Sequence, residues 1–235
     1  MPRLLILLLL LPLFTEAQTL KSVKNRSKYL LEQYEVLAEN DTIRAGSYKK
    51  MRIDTRELLE EGRYEANRRT GAWTFYNSKG TPELVYDYST AQVITINRPR
   101  TKASLAQIQQ GDTLAQVYLD VAPIYLASSV QIYSIIGREV RIPVQLQRSG
   151  IQEVSFKPVA SVSPAGTSYR AITSHPDPEF KKSAREAMAM AFKGVEWLPA
   201  VYEGKPITST YTFEDVVLTG YTVTRTQITS LPRLP

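Results

Sequence analysis

His175 is the one imidazole in the chain, and Ser174-His175-Pro176-Asp177-Pro178 sets a hydroxyl, an imidazole and a carboxylate side by side. Those are the group types of a nucleophilic triad, which works only when the three converge on a reacting atom. Neighbours in one proline-bounded loop rarely do so. Asp177 is read instead as the entry to a helix, its charge complementing the helix dipole. Glu60-Glu61 and Glu214-Asp215 are the kind of carboxylate pair that glycoside hydrolysis uses. Adjacent residues on a strand face opposite ways, so both pairs read as solvated side chains. With no Cys there is no disulfide, thiolate metal site or cysteine nucleophile, and a single His excludes a multi-histidine centre. No glycine-rich phosphate cradle follows any expected strand. The residues nominate no catalytic side chain, no cofactor and no metal, and they suggest no small-molecule substrate. The chain reads as non-enzymatic, with an envelope hydrolase built on His175 or the carboxylate pairs as one alternative.

The elements that would position a binding surface come next. The 235 residues are 43% hydrophobic and 22% charged, which is ordinary for a chain that buries a core, in one or two domains. Met1-Pro2-Arg3, the leucine-rich run Leu4 to Phe14 and Thr15-Glu16-Ala17 form the three regions of a cleavable export signal. The apolar run is about eleven residues, where a membrane-spanning helix needs about twenty. Residues 1–17 are therefore read as a signal peptide, with a mature chain beginning at Gln18 in the periplasm. The net charge of +6 is shared evenly by the halves on either side of Asp120. Nucleic-acid footprints are clustered, and the densest basic stretch, Lys21, Lys24, Arg26 and Lys28, lies at a new N-terminus expected to fray. No nucleic-acid partner is expected.

From Tyr29 to Tyr88 short strands alternate with polar turns. Gly46-Ser47-Tyr48 and Gly71-Ala72-Trp73 lie 25 positions apart, and in that register Leu59 meets Leu84. A glycine followed two residues on by an aromatic suggests a hairpin unit with the glycine in a strained turn conformation and the ring on the sheet face. Gly62, Tyr64, Gly71, Trp73, Phe75, Tyr76 and Gly80 follow G-x-Y and G-x-W-x-F-Y-x-x-x-G, a pattern that resembles the MORN-type repeat. The resemblance implies an antiparallel β-meander over 29–96, with these residues mainly structural and a protein-contact face as the other reading. Residues 97–120 read as a linker.

Beyond it, Pro143 opens a short helix that ends at Gly150, Val154 to Val162 and Tyr169 to Thr173 form a hairpin, and an amphipathic helix follows Pro178 up to Gly194. Ile207 to Phe213 is the next strand, with Ile207, Ser209, Tyr211 and Phe213 on one face. That order, with Pro143, Trp197-Leu198-Pro199-Ala200 and Gly204-Lys205-Pro206, resembles the C-terminal domain of the TonB family over residues 121–218. Ile142-Pro143 stands where many members have Tyr-Pro. The expected fold class is α+β, a meander followed by one main helix on a three-stranded antiparallel sheet. The resemblance further implies a periplasmic unit whose last strand, Thr208, Ser209, Thr210, Tyr211, Thr212 and Phe213, accepts the extended peptide of an outer-membrane receptor. The tail, residues 219–235, has β propensity of its own and can cover that edge. The expected function is partner binding by strand addition. An inner-membrane-anchored energy transducer for outer-membrane transport is the alternative.

Overall fold

A computed structural model describes residues 19–98, 105–110, 113–219 and 222–225. The chain is mixed but strand-rich, with a long antiparallel meander followed by a smaller α/β assembly. The meander is a seven-stranded sheet in sequence order: β1 (Leu20–Arg26), β2 (Leu30–Leu37), β3 (Asn40–Arg52), β4 (Leu58–Glu65), β5 (Arg68–Tyr76), β6 (Pro82–Asp87) and β7 (Gln92–Ile96). It starts earlier than the sequence suggested. Lys21, Lys24 and Arg26 lie on β1, paired in unbroken register with β2, because an edge strand tolerates solvated cations that a frayed terminus also carries.

The segment read as a linker is also structured. Strands β8 (Leu105–Gln110) and β9 (Thr113–Tyr118) form a separate hairpin, with Ala106 and Val117 buried. β10 (Ile124–Leu126) follows, then helix α1 (Ser129–Glu139), capped by the Ser128 hydroxyl, and α2 (Val144–Arg148), with Pro143 at its N-cap.

The C-terminal sheet is built on β11 (Glu153–Ser163), which pairs along eight residues with β12 (Gly166–Thr173). Helix α3 (Pro178–Ala191) has Pro in its first turn, and Asp177 Oδ1 accepts a hydrogen bond from Phe180 N–H at 2.8 Å. Its buried stripe of Phe180, Ala184, Ala187, Met188 and Ala191 packs on the sheet with α1. Two helices therefore cover this face, where one was expected. Then come β13 (Glu196–Leu198), paired with β10, and the ribbon β14 (Ala200–Tyr202) and β15 (Lys205–Ile207). That ribbon turns at Glu203-Gly204, both at positive φ.

The expected strand Ile207–Phe213 is split: β15 ends at Ile207 and β16 (Ser209–Thr212) pairs with β11. Ser209, Tyr211 and Phe213 are buried and share a face as expected. β17 (Val216–Thr219) continues along the same side of β11, and β18 (Thr222–Arg225) pairs with β17. The break has a local cause. Phe213 N–H donates to the Pro158 carbonyl at 3.0 Å, but Pro158 has no N–H to return, so the ladder stops and resumes at Val216. The sheet is thus larger than the expected three strands. Residues 1–17 and 226–235 lie outside the described residues.

Polar contacts join the meander to β10 and α1, buried at Glu83 and Arg98 and more exposed at Asp54 and Lys28. Glu83 on β6 accepts from Ser129 N–H and Ser129 Oγ, both at 2.6 Å, and pairs with Arg98 at 3.1 Å. Arg98 lies 3.8 Å from the Tyr125 ring centroid and donates to the Tyr125 and Ala127 carbonyls. Asp54 bridges Arg52 and Arg138, and Lys28 pairs with Glu139 at 2.6 Å.

Candidate functional site

The repeat residues assemble into a stack. Trp73 is wholly buried, its ring 5.0 Å from Tyr48, 5.2 Å from Tyr64 and 5.7 Å from Tyr88. Its indole N–H donates to the Arg63 carbonyl at 3.2 Å. A methyl group at Gly62 would stand 2.3 Å from the indole, so this glycine is needed for space and not for a turn. Gly46 and Gly71 do take positive φ, 85° and 59°, but inside β3 and β5. Gly80, at φ 70°, turns between β5 and β6, where its N–H donates to the Asn77 carbonyl. Phe75 is wholly buried. Tyr76 donates to Glu61 at 2.5 Å, and burial together with that carboxylate pushes its phenol up to about 12.

Two arginines escaped the sequence reading although the 25-residue register marks both. Arg44 sits over Tyr64 and Arg69 over Tyr88, each 5.4 Å from the ring centroid. Each also donates to that tyrosine's hydroxyl, at 3.4 Å and 2.6 Å. Ile124, Leu126 and Leu198 close the stack from the C-terminal side, and Tyr88 donates to Glu196 on β13. These rings are fastened to the rest of the chain.

The candidate catalytic groups are dispersed into local roles. Ser174 Oγ accepts from Ser155 N–H, His175 Nδ1 accepts from Asp177 N–H, and Asp177 caps α3. Glu60 and Glu61 face opposite ways as expected, but Glu60 is not solvated. It is 0% exposed, with Lys50 Nζ at 2.8 Å and Arg69 Nη2 at 3.6 Å. Burial and the nearby Glu60 and Glu32 raise the Tyr48 phenol well above its ordinary range. Asp215 pairs with Lys157 at 3.6 Å, and Glu214 N–H donates to Tyr133. Among the described residues no three His, Cys, Asp or Glu side chains cluster as metal ligands, and no helix is long and apolar enough to cross a membrane.

The residues that carry the TonB-like resemblance divide between core and surface. Trp197 donates to Tyr169 at 2.8 Å and meets Tyr125, Tyr211 and Phe213 at 5.4 to 6.1 Å. Ala200 and Pro143 are buried, Pro199 is half-buried, and Gly204, Lys205 and Pro206 are exposed. The hydrogen-bond parity of β11 decides which backbone groups the sheet edges present. Phe213 N–H bonds to the Pro158 carbonyl, so Ser209 and Tyr211 also point inward and Thr210 and Thr212 point out. That expected docking edge is short, and β8 lies beside it without a ladder. The outer side of β17 is taken by β18.

On the opposite edge the parity is equally clear. Ser174 N–H bonds to the Ser155 carbonyl at 2.8 Å, so Ser168, Arg170 and Ile172 bond to β11. Thr167, Tyr169, Ala171 and Thr173 turn their N–H and C=O groups outward. Their side chains face α3, where Tyr169 stacks on Phe192 with centroids 4.5 Å apart. β12 is the terminal strand of its sheet, and its register is unbroken. The ends of the meander are protected differently: β1 carries three cations, and a register shift interrupts β7. Comparison with protein-family models, curated proteins and solved structures finds no match to this chain.

Proposed function

We propose that this protein is a non-enzymatic, exported envelope protein that binds an extended segment of another protein by strand addition to its C-terminal sheet. The β-β-α-β order, with β16 returning antiparallel beside β11, supports a TonB-like unit, and the repeat register supports a MORN-like meander. Docking is assigned to β12 in place of the Thr208–Phe213 edge. The observation that carries this is the smooth eight-residue strand with four residues presenting unpaired main-chain groups. A visiting strand satisfies those groups with main-chain hydrogen bonds, while its alternate side chains set specificity.

Replacing Ala171 with Pro tests the reading, because the lost N–H is one that β11 does not use. A photo-crosslinking residue at Ser168 yields an adduct in intact cells that the added Ala171→Pro change abolishes, and the same crosslinker at Thr210 yields none. An adduct at Ser168 indifferent to Ala171→Pro, or an edge-dependent adduct only at Thr210, overturns the assignment.

A further inference from the structure

Besides its outward main-chain groups, β12 presents three side chains on one open face. Ser168, Arg170 and Ile172 stand on the sheet face away from α3, and all three are exposed, Ile172 at 48%. Arg170 lies at the middle of the strand, opposite Val159 of β11. No carboxylate among the described residues pairs with it. The nearest titratable side chain by register is Lys157, the cross-strand partner of Ile172, and that cation already has its carboxylate in Asp215. The open face beside the edge is therefore positive at one position and apolar at the next position on the same side. The residues of an added strand fall directly opposite these two, at cross-strand distances of about 5 Å.

Resting on the strand-addition reading, we infer that the segment recognised by β12 is acidic and apolar in alternation, with Asp or Glu opposite Arg170 and an aliphatic or aromatic residue opposite Ile172. In an antiparallel visitor the apolar residue comes first and the acid two residues later. The intervening residue turns toward the side of the sheet that carries Tyr169, Ala171 and α3. A second copy of this chain does not fit the same position. Every central two-fold pairing of β12 with itself sets Arg170 opposite or diagonal to the second Arg170, and like charges so placed repel. The chain's net charge of +6 also favours an acidic visitor over a second copy.

The probe is a phage-displayed library of random dodecapeptides selected on the mature chain. Peptides that also bind Ala171→Pro or Thr173→Pro are removed, so that those retained depend on the outward N–H groups. The two proline variants must first give the wild-type far-ultraviolet circular dichroism spectrum, and either one that does suffices. The retained peptides are enriched in an apolar residue two positions before an acid. Arg170→Glu weakens them by about tenfold, the combined effect of losing one cross-strand attraction and gaining a repulsion, and selects basic residues at that position instead. Edge-dependent peptides without acid enrichment, or with affinities unmoved by Arg170→Glu, overturn this inference and leave docking at β12 standing. If no peptide depends on the outward N–H groups, docking at β12 itself fails.

Discussion

Gly62 is the position where one methyl group should do the most damage. Its Cβ would lie 2.3 to 2.6 Å from three atoms of the Trp73 indole, far inside van der Waals contact. The ring cannot simply slide. It is held between Tyr48 and Tyr64, with Arg69 4.2 Å from its centroid and its N–H on the Arg63 carbonyl. Overpacking a rigid core costs about 1–3 kcal/mol, and displacing the indole also forfeits a hydrogen bond worth about 1 kcal/mol. Gly62→Ala should therefore destabilise by about 3 kcal/mol. Gly71→Ala is the contrasting variant, because nothing lies within 4 Å of its added carbon and only the positive φ of 59° is strained. That strain costs about 1 kcal/mol. Urea unfolding followed by far-ultraviolet circular dichroism, with slopes compared, measures both. Gly62→Ala within about 0.5 kcal/mol of wild type, or milder than Gly71→Ala, would refute the account of why the repeat keeps a glycine there.

Glu83→Ala leaves Arg98 buried without its carboxylate and α1 without its anchor, so urea unfolding should show a loss of about 3–5 kcal/mol, partly recovered by Arg98→Met in the same chain. Slight burial acts to raise the Asp54 carboxyl, but hydrogen bonds from Arg52, the Thr55 and Asp54 backbones and Arg138 outweigh it and hold the group at about 2 against an ordinary 3.8. A lowered folded-state value means stability that is present above 3.8 and lost as pH falls through 2. Asp54→Asn should flatten that part of the stability profile, measured by urea unfolding between pH 5 and about 2. Envelope fractionation with N-terminal sequencing should find a soluble periplasmic chain beginning at Gln18, and a membrane-bound chain beginning at Met1 would instead favour the energy-transducer alternative.

What could be read from sequence was local and periodic. Phe180, Ala184, Ala187, Met188 and Ala191 recur at helical spacing after Asp177-Pro178, and α3 forms there with Asp177 as its cap. The Ser163-to-Thr167 turn and its two flanking strands are equally local. What escaped depends on partners distant in sequence. Glu60 looks like any surface acid until β3 and β5 bring Lys50 and Arg69 to it. Glu83, Arg98 and Ser129 have no shared motif, and only the packing of the meander on α1 makes them one buried group. Lys21, Lys24 and Arg26 read as a solvated tail because an edge strand and a tail both keep cations in water. The proposed choice of docking edge rests on the same kind of distant contact. Sequence suggests a strand through Thr208–Phe213, but not that β8 flanks it or that its ladder stops at Pro158.

Site-resolved amide hydrogen exchange on the mature chain tests the free edge most directly, since it needs no partner. Ser168, Arg170 and Ile172 donate to β11, whereas Thr167, Tyr169, Ala171 and Thr173 donate to solvent. The account predicts alternation along β12, with slow exchange at the first three amides and fast exchange at the other four. Uniform protection of all seven would mean that some other part of the protein, or a second copy, already covers β12, and the assignment of docking to this strand would be contradicted.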